Sequence, residues 1–278
     1  MRARSRLLAL LAVAACDRPE PLLICHNGTC VGPDTTRDDT LTAMTDSLAL
    51  TRDGLPVLDG IEWDVFWYGK DSTCLFAHDL VNDTSTPASD AADLVADYLA
   101  THTRASWQGM RFYALIDLKA HVGPEYSDEH TPQQLADHAD CALDSAARLL
   151  AGARAGGHEL TVGFISGKPV HLEVLTSRPG WAALQPEPDL ELMLIGDIFA
   201  PYAAIVPKLS DYKVRLDAVE YHPDFMTLQH RETYRSLGID LVQWSYVATT
   251  EALGAISRYE PRFAITNEAM LLRRWTER

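Results

Sequence analysis

Short apolar runs and amphipathic segments alternate along most of the chain. Runs rich in Val, Ile, Leu and aromatic residues, bounded by Gly, Pro, Asp or Asn, occupy residues 22–25, 57–66, 112–118, 160–165, 191–195, 217–221, 240–244 and 263–266, and each predicts a β-strand. The segments between them carry helical spacing. It is clearest over 131–154, where Leu135, Ala139, Leu143 and Ala147 recur every four residues behind the helix-starting pair Thr131-Pro132; 41–50, 91–101, 228–237 and 249–259 have the same character. Eight strands separated by helix-length segments, with no charged linker or low-complexity stretch, predict one α/β unit over residues 22–278. The expected architecture is a single parallel (β/α)8 TIM-type barrel rather than an open doubly wound sheet. No GxGxxG or GxxxxGK[ST] follows a strand, which argues against a dinucleotide or nucleoside-triphosphate site. The polar, turn-rich stretch 82–90 reads as a surface loop of the second barrel unit.

A parallel barrel gathers its chemistry at the C-terminal ends of its strands, so polar residues there carry more weight than elsewhere. His26 ends the first run. The second contains Gly60-Ile61-Glu62-Trp63-Asp64-Val65, in which two carboxylates at i and i+2 of a strand face the same side. The third ends in Asp117-Leu118-Lys119 with the same spacing. A single acid at a strand end is usually a solvated cap, but three acids and a lysine on successive strand ends describe an oxygen site suited to Mg²⁺ or Ca²⁺ with an ammonium for a phosphate oxygen. His78 and Asp79 follow the short apolar run Cys74-Leu75-Phe76-Ala77, expected to form a hairpin that folds back over the barrel mouth. His26 and His78 would then face one metal and could divide acid and base work on a phosphodiester. His102, His138 and His158 have no such company and read as surface residues.

The first residues follow a different logic. Arg2, Arg4 and Arg6 precede an apolar run over 7–15, too short to span a bilayer and typical of an export signal. Val13-Ala14-Ala15-Cys16 is similar to the lipobox of bacterial lipoproteins, in which the cysteine is lipidated and becomes the new N-terminus. The chain is thus expected to be an exported cell-envelope lipoprotein, or a secreted protein, with signal 1–15, tether 16–21 and catalytic barrel 22–278. Removing residues 1–15 takes away three arginines and no acid, moving the net charge from −15 to −18. A surface of that sign repels nucleic acid and anionic membranes. Beyond Cys16, the four cysteines Cys25, Cys30, Cys74 and Cys141 allow two disulfides in three connectivities; Cys25 and Cys30 are close enough in sequence to pair locally. A zinc site at Cys25-His26 and Cys30 lacks a matching second Cys/His pair.

The order His26, Glu62-x-Asp64, His78-Asp79 resembles the pattern of glycerophosphodiester phosphodiesterases. Asp117-Leu118-Lys119 resembles the third-strand motif of the related sphingomyelinase D/phospholipase D enzymes of spider venoms, and Val242-Gln243-Trp244 and Ala264-Ile265-Thr266-Asn267 are similar to the last two strand ends of the same superfamily. The resemblance implies that Glu62, Asp64 and Asp117 bind Mg²⁺, that His26 and His78 are catalytic, that Lys119 binds phosphate and that Trp244 lines the substrate pocket. Glycerophosphodiesterases carry His-Arg-Gly at the first strand end and Glu on the third, where this chain has His26-Asn27-Gly28 and Asp117. These departures, with Trp244 suited to a quaternary ammonium, shift the expectation toward a phospholipase D-like enzyme. It would cleave choline or ethanolamine (lyso)phospholipids at a membrane surface, with a substrate hydroxyl attacking phosphorus to give a cyclic phosphate. The alternatives are a glycerophosphodiester phosphodiesterase releasing glycerol 3-phosphate and an inactive lipid-anchored headgroup-binding protein.

Overall fold

The computed structural model describes residues 20–33, 35–68, 73–77, 86–119, 131–198, 208–245 and 247–276. The expected signal peptide, the lipidation site Cys16, most of the tether, His78, Asp79 and residues 82–85 lie outside these. Eight parallel strands form a closed ring: β1 (Leu22–Cys25), β2 (Gly60–Tyr68), β3 (Arg111–Lys119), β4 (Glu159–Ser166), β5 (Leu190–Asp197), β6 (Ala218–Tyr221), β7 (Asp240–Ser245) and β8 (Phe263–Thr266). Each pairs with its neighbours in sequence, and β1 joins both β8 and β2 to close the barrel. Around the ring lie α1 (Leu41–Leu48), α2 (Ala88–Thr101), α3 (Pro132–Gly156), α4 (Pro169–Ser177), α5 (Pro179–Leu184), α6 (Leu228–Ser236), α7 (Thr250–Tyr259) and α8 (Ala269–Thr276). No described helix is long and apolar enough to cross a membrane.

Every predicted strand and helix is present within a few residues of its expected bounds. The longest helix, α3, starts on a capping box in which Thr131 and Gln134 satisfy each other's backbone N–H groups, and ends on Gly157 in the left-handed region at φ 73°. Residues 86–90, expected in a loop, instead form a short strand and the first turn of α2. The helices α4, α5 and α8 carry no clear sequence signal. Pro169 and Pro179 each stand in the first turn of a helix, where the missing N–H costs nothing.

Strand alternation divides the core in two. Leu22, Ile24, Tyr113, Leu115, Ile165, Met193, Ile195, Ala218, Val242, Phe263 and Ile265 fill the barrel interior, and a larger cluster lies between sheet and helices. Interior crowding explains Gly60, where a Cβ would stand 1.9 Å from the Tyr113 carbonyl oxygen. Past the barrel rim β2 turns back as the expected hairpin, Val65–Tyr68 pairing antiparallel with Thr73–Phe76. A disulfide ties this hairpin to α3 through Cys74 and Cys141. Cys25 and Cys30, which could have closed locally, are buried free thiols, and burial followed by their mutual proximity raises the Cys25 pKa well above its ordinary value.

His138 and His158 are not surface residues: they are 2% and 3% exposed. Each fills a specific acceptor's need, His138 Nε2 standing 2.7 Å from the Val65 carbonyl and His158 Nε2 2.7 Å from that of His102. A polar ring can be buried when it replaces water at a carbonyl that would otherwise be orphaned.

The seam between β1 and β2 spans only two residue pairs, Ile24–Gly60 and Cys25–Ile61. Buried Asp59 reinforces it: its Oδ2 accepts from Leu23 N at 3.0 Å and from Arg273 Nη2 at 2.7 Å, and its Oδ1 from Gln108 N at 3.1 Å. The Arg273 guanidinium also donates to the Val57 carbonyl and lies over the Trp107 ring. Stripping one partner from a buried pair leaves the other charge uncompensated, so Arg273→Met is expected to lower the unfolding free energy by about 3–5 kcal/mol in urea titrations. A loss below about 1 kcal/mol would mean that the seam does not depend on this pair.

Candidate active site

Parallel register brings the acids together. Asp64 on β2 and Asp117 on β3 are direct partners, and Glu62 sits one inward-facing position before Asp64. All three are buried, and each offers an oxygen within 4.8 Å of the others. Lys119, one inward position past Asp117, binds Asp117 Oδ2 and lies 3.4 Å from Asp64 Oδ1. The same face of β2 continues into Phe66 and Tyr68, which cluster with Leu75 and Ala77 of the hairpin and make that side of the mouth apolar. Three carboxylates and one ammonium leave a deficit of positive charge. Burial, then Asp64 and Asp117, raise the Glu62 pKa well above the carboxylate value. This donor set fits a divalent cation with oxygen ligands.

Asn27 is where sequence reasoning misjudged the site. Its position was noted for the guanidinium it lacks, yet it is 3% exposed and holds the acids in place. Its backbone N–H donates to Glu62 Oε2 at 2.7 Å, and its amide nitrogen, in the orientation that satisfies both contacts, reaches Asp64 Oδ2 at 3.3 Å and Glu62 Oε2 at 3.2 Å. The geometry requires φ 45° at Asn27 and 67° at Gly28, backbone that asparagine and glycine tolerate best.

His26 stands at the rim beside this loop, its Nδ1 2.9 Å from Asn267 Oδ1. An amide oxygen only accepts, so Nδ1 carries a proton, and in the neutral ring Nε2 keeps its lone pair. Asn267 Nδ2 donates to Asp38 Oδ1 at 3.4 Å, in keeping with this amide orientation. Trp244 stacks nearly parallel to His26 at 6.2 Å and also meets His222, 4.9 Å away. Gln243 faces outward and joins Tyr221 to the Ala252 carbonyl. Two further acids, Asp197 at the end of β5 and Glu220 near the end of β6, share the C-terminal face; the strand-end criterion that marks Glu62 and Asp117 marks them equally. Of the expected site residues, the structure groups His26, Glu62, Asp64, Asp117, Lys119 and Trp244 at one mouth, and His78 lies outside the described residues.

No protein-family model and no curated protein matches the sequence. Solved structures do. A provisional glycerophosphoryl diester phosphodiesterase from Silicibacter pomeroyi superposes with a TM-score of 0.61 at 14% identity, over 93% of this chain and 94% of that one. The Oleispira antarctica phosphodiesterase in complex with the product sn-glycerol-3-phosphate gives 0.58 at 13% identity, over 93% and 97%. The chain has the glycerophosphodiester phosphodiesterase fold. A calcium-dependent phosphoinositol-specific phospholipase C from a Pseudomonas species is also similar, with a TM-score of 0.51 at 10% identity over 90% of each chain.

In this glycerophosphodiester phosphodiesterase fold the acid triad and the His26–Asn267 pair each yield a measurable consequence. A raised Glu62 pKa means that, without metal, its contribution to stability is full below the ordinary carboxylate range and is lost as pH rises through the raised value. A divalent ion offsets that loss. Mg²⁺ at about a hundredfold excess over its Kd should therefore raise Tm by roughly 5–10 °C at pH 8 and by distinctly less at pH 5; equal increments at both would count against the triad as its site. Asn267→Leu should release the His26 ring, seen as a shift of its tautomer-sensitive ring-nitrogen resonances by NMR, whereas unchanged resonances would remove Asn267 as the group that sets this tautomer.

Proposed function

We propose that this chain is a metal-dependent phosphodiesterase of the glycerophosphodiester type, hydrolysing small diesters of glycerol phosphate. The observation that carries the reading is the buried Glu62–Asp64–Asp117 triad beside Lys119, at a mouth that His26 also borders. The product named with the Oleispira antarctica protein favours this substrate class over the sphingomyelinase D expectation.

A bound divalent ion, held by Glu62, Asp64 and Asp117, would supply positive charge to the non-bridging oxygens as negative charge develops there. Lys119 adds a second positive group. Burial by itself would lower its pKa, but Asp117, Asp64 and Glu62 outweigh burial and hold it well above the usual lysine value, so it stays an ammonium through the neutral range. With Nδ1–H committed to Asn267, His26 presents Nε2 either to attack phosphorus or to take the proton of the attacking water. The leaving oxygen needs a proton, and the sequence offers His78 for that task. The apolar hairpin face at Phe66 and Tyr68 borders the mouth on one side. Lipidation of Cys16 would hold such an enzyme at a membrane surface.

Trp244, stacked beside His26, favours one second reading: a phospholipase D-type enzyme on choline or ethanolamine lipids that closes a cyclic phosphate. Phosphorus NMR of products from glycerophosphodiesters and lysophospholipids, with Mg²⁺ or with EDTA, separates the two. The expected products are glycerol 3-phosphate and free alcohol, abolished by EDTA and reduced at least about a hundredfold in His26→Ala and Lys119→Met. A cyclic product would favour the second reading. Binding without any product would leave a headgroup-binding protein.

A further inference from the structure

Across the mouth from the metal site, two acids end neighbouring strands. Asp197 on β5 and Glu220 on β6 are direct partners in register. Ala218 packs in the barrel interior, so alternation turns Glu220, two residues on, inward as well. Glu220 is 8% exposed, and among the described residues none donates a hydrogen bond to it. Lys119, the cation on this face among the described residues, is committed to Asp117 and Asp64. Burial, then the charges of Asp197 and Asp117, raise the Glu220 pKa, so a carboxylate here is costly until a donor or a cation reaches it. The metal site does not need Glu220, because its three carboxylates would be balanced by one divalent ion and the Lys119 ammonium.

The adjoining wall is aromatic from solvent down to the catalytic rim. Phe225, 46% exposed, meets His222 at 6.1 Å; His222 meets Trp244 at 4.9 Å; Trp244 stacks on His26 at 6.2 Å. Ring faces beside a carboxylate pair attract a cation. The oxygens of Glu220, to which no described residue donates, discriminate between cations: a trimethylammonium has no N–H to give, whereas a primary ammonium has three.

Resting on the phosphodiesterase reading above, we infer that Asp197 and Glu220 form a subsite for a primary ammonium on one alcohol of the diester, selecting ethanolamine-type over choline-type headgroups. Glycerophosphoethanolamine and glycerophosphocholine differ only in that group. With Mn²⁺ present, kcat/KM is expected to favour the ethanolamine diester about tenfold or more, the size of a charged hydrogen bond. In Glu220→Gln, which keeps the shape and removes the charge, the ratio should fall toward one while Mn²⁺ affinity by titration calorimetry is retained. Asp197→Asn replaces it should that variant not fold. A ratio unchanged by the substitution, or a wild-type preference for the choline diester, overturns the subsite and leaves the phosphodiesterase reading standing. Titration of free ethanolamine and free choline into the Mn²⁺-loaded protein tests the subsite without turnover. Ethanolamine should bind at least about tenfold more tightly, and the difference should vanish in the variant. If neither diester is cleaved, the phosphodiesterase reading fails and this titration alone judges the subsite; equal binding of the two amines then overturns it.

Discussion

The barrel closes at one short seam, and a single buried carboxylate holds it. Asp59 immediately precedes β2, receives the Leu23 amide of β1, donates its own amide to the Leu23 carbonyl and accepts the Arg273 guanidinium from α8. Its carbonyl takes the amide of Tyr113 on β3. First strand, second strand, third strand and last helix therefore meet on one residue. The arrangement matters for function because inward positions further along the same strands are His26, Glu62 and Asp117. A slip of one residue at the seam would turn each of them to the opposite face.

Above that seam the mouth accumulates negative charge that folding alone does not neutralise. Among the described residues, Glu62, Asp64, Asp117 and Glu220 lie buried with one ammonium, that of Lys119, beside them. Several polar groups around the array hold it in place. Asn27 donates to two of the acids, and His138 and His171 cover the Val65 and Leu118 carbonyls that follow the metal-side carboxylates on β2 and β3. Instability stored at a mouth is what ligand binding relieves, so the electrostatic deficit and the proposed cation sites are two views of one arrangement.

Much of the site was legible because its main residues obey strand periodicity. Glu62-x-Asp64 and Asp117-x-Lys119 needed only the rule that residues two apart on a strand share a face, and the apolar frames around them marked the strand ends. Asn27 and Asn267 were passed over as ligand-holding groups, since an amide has no charge to flag it and its role depends on partners 35 and 241 residues away. Asp197 and Glu220 were within reach of the same periodicity. His138 and His158 were misjudged because burial of a polar ring is decided by whether a distant carbonyl needs a donor.

The sequence by itself determined the eight-strand alternation, the strand-end acids and the strongly acidic surface, because each follows from local spacing or composition. Tertiary structure alone decided that Cys74 pairs with Cys141 and not Cys25 with Cys30, that Arg273 is fully buried against Asp59, and that Asn267 fixes the tautomer of His26. These contacts join residues 67, 214 and 241 positions apart. Local propensity carries no information over such separations; ring closure does, by bringing the two ends of the chain to the same side of one barrel.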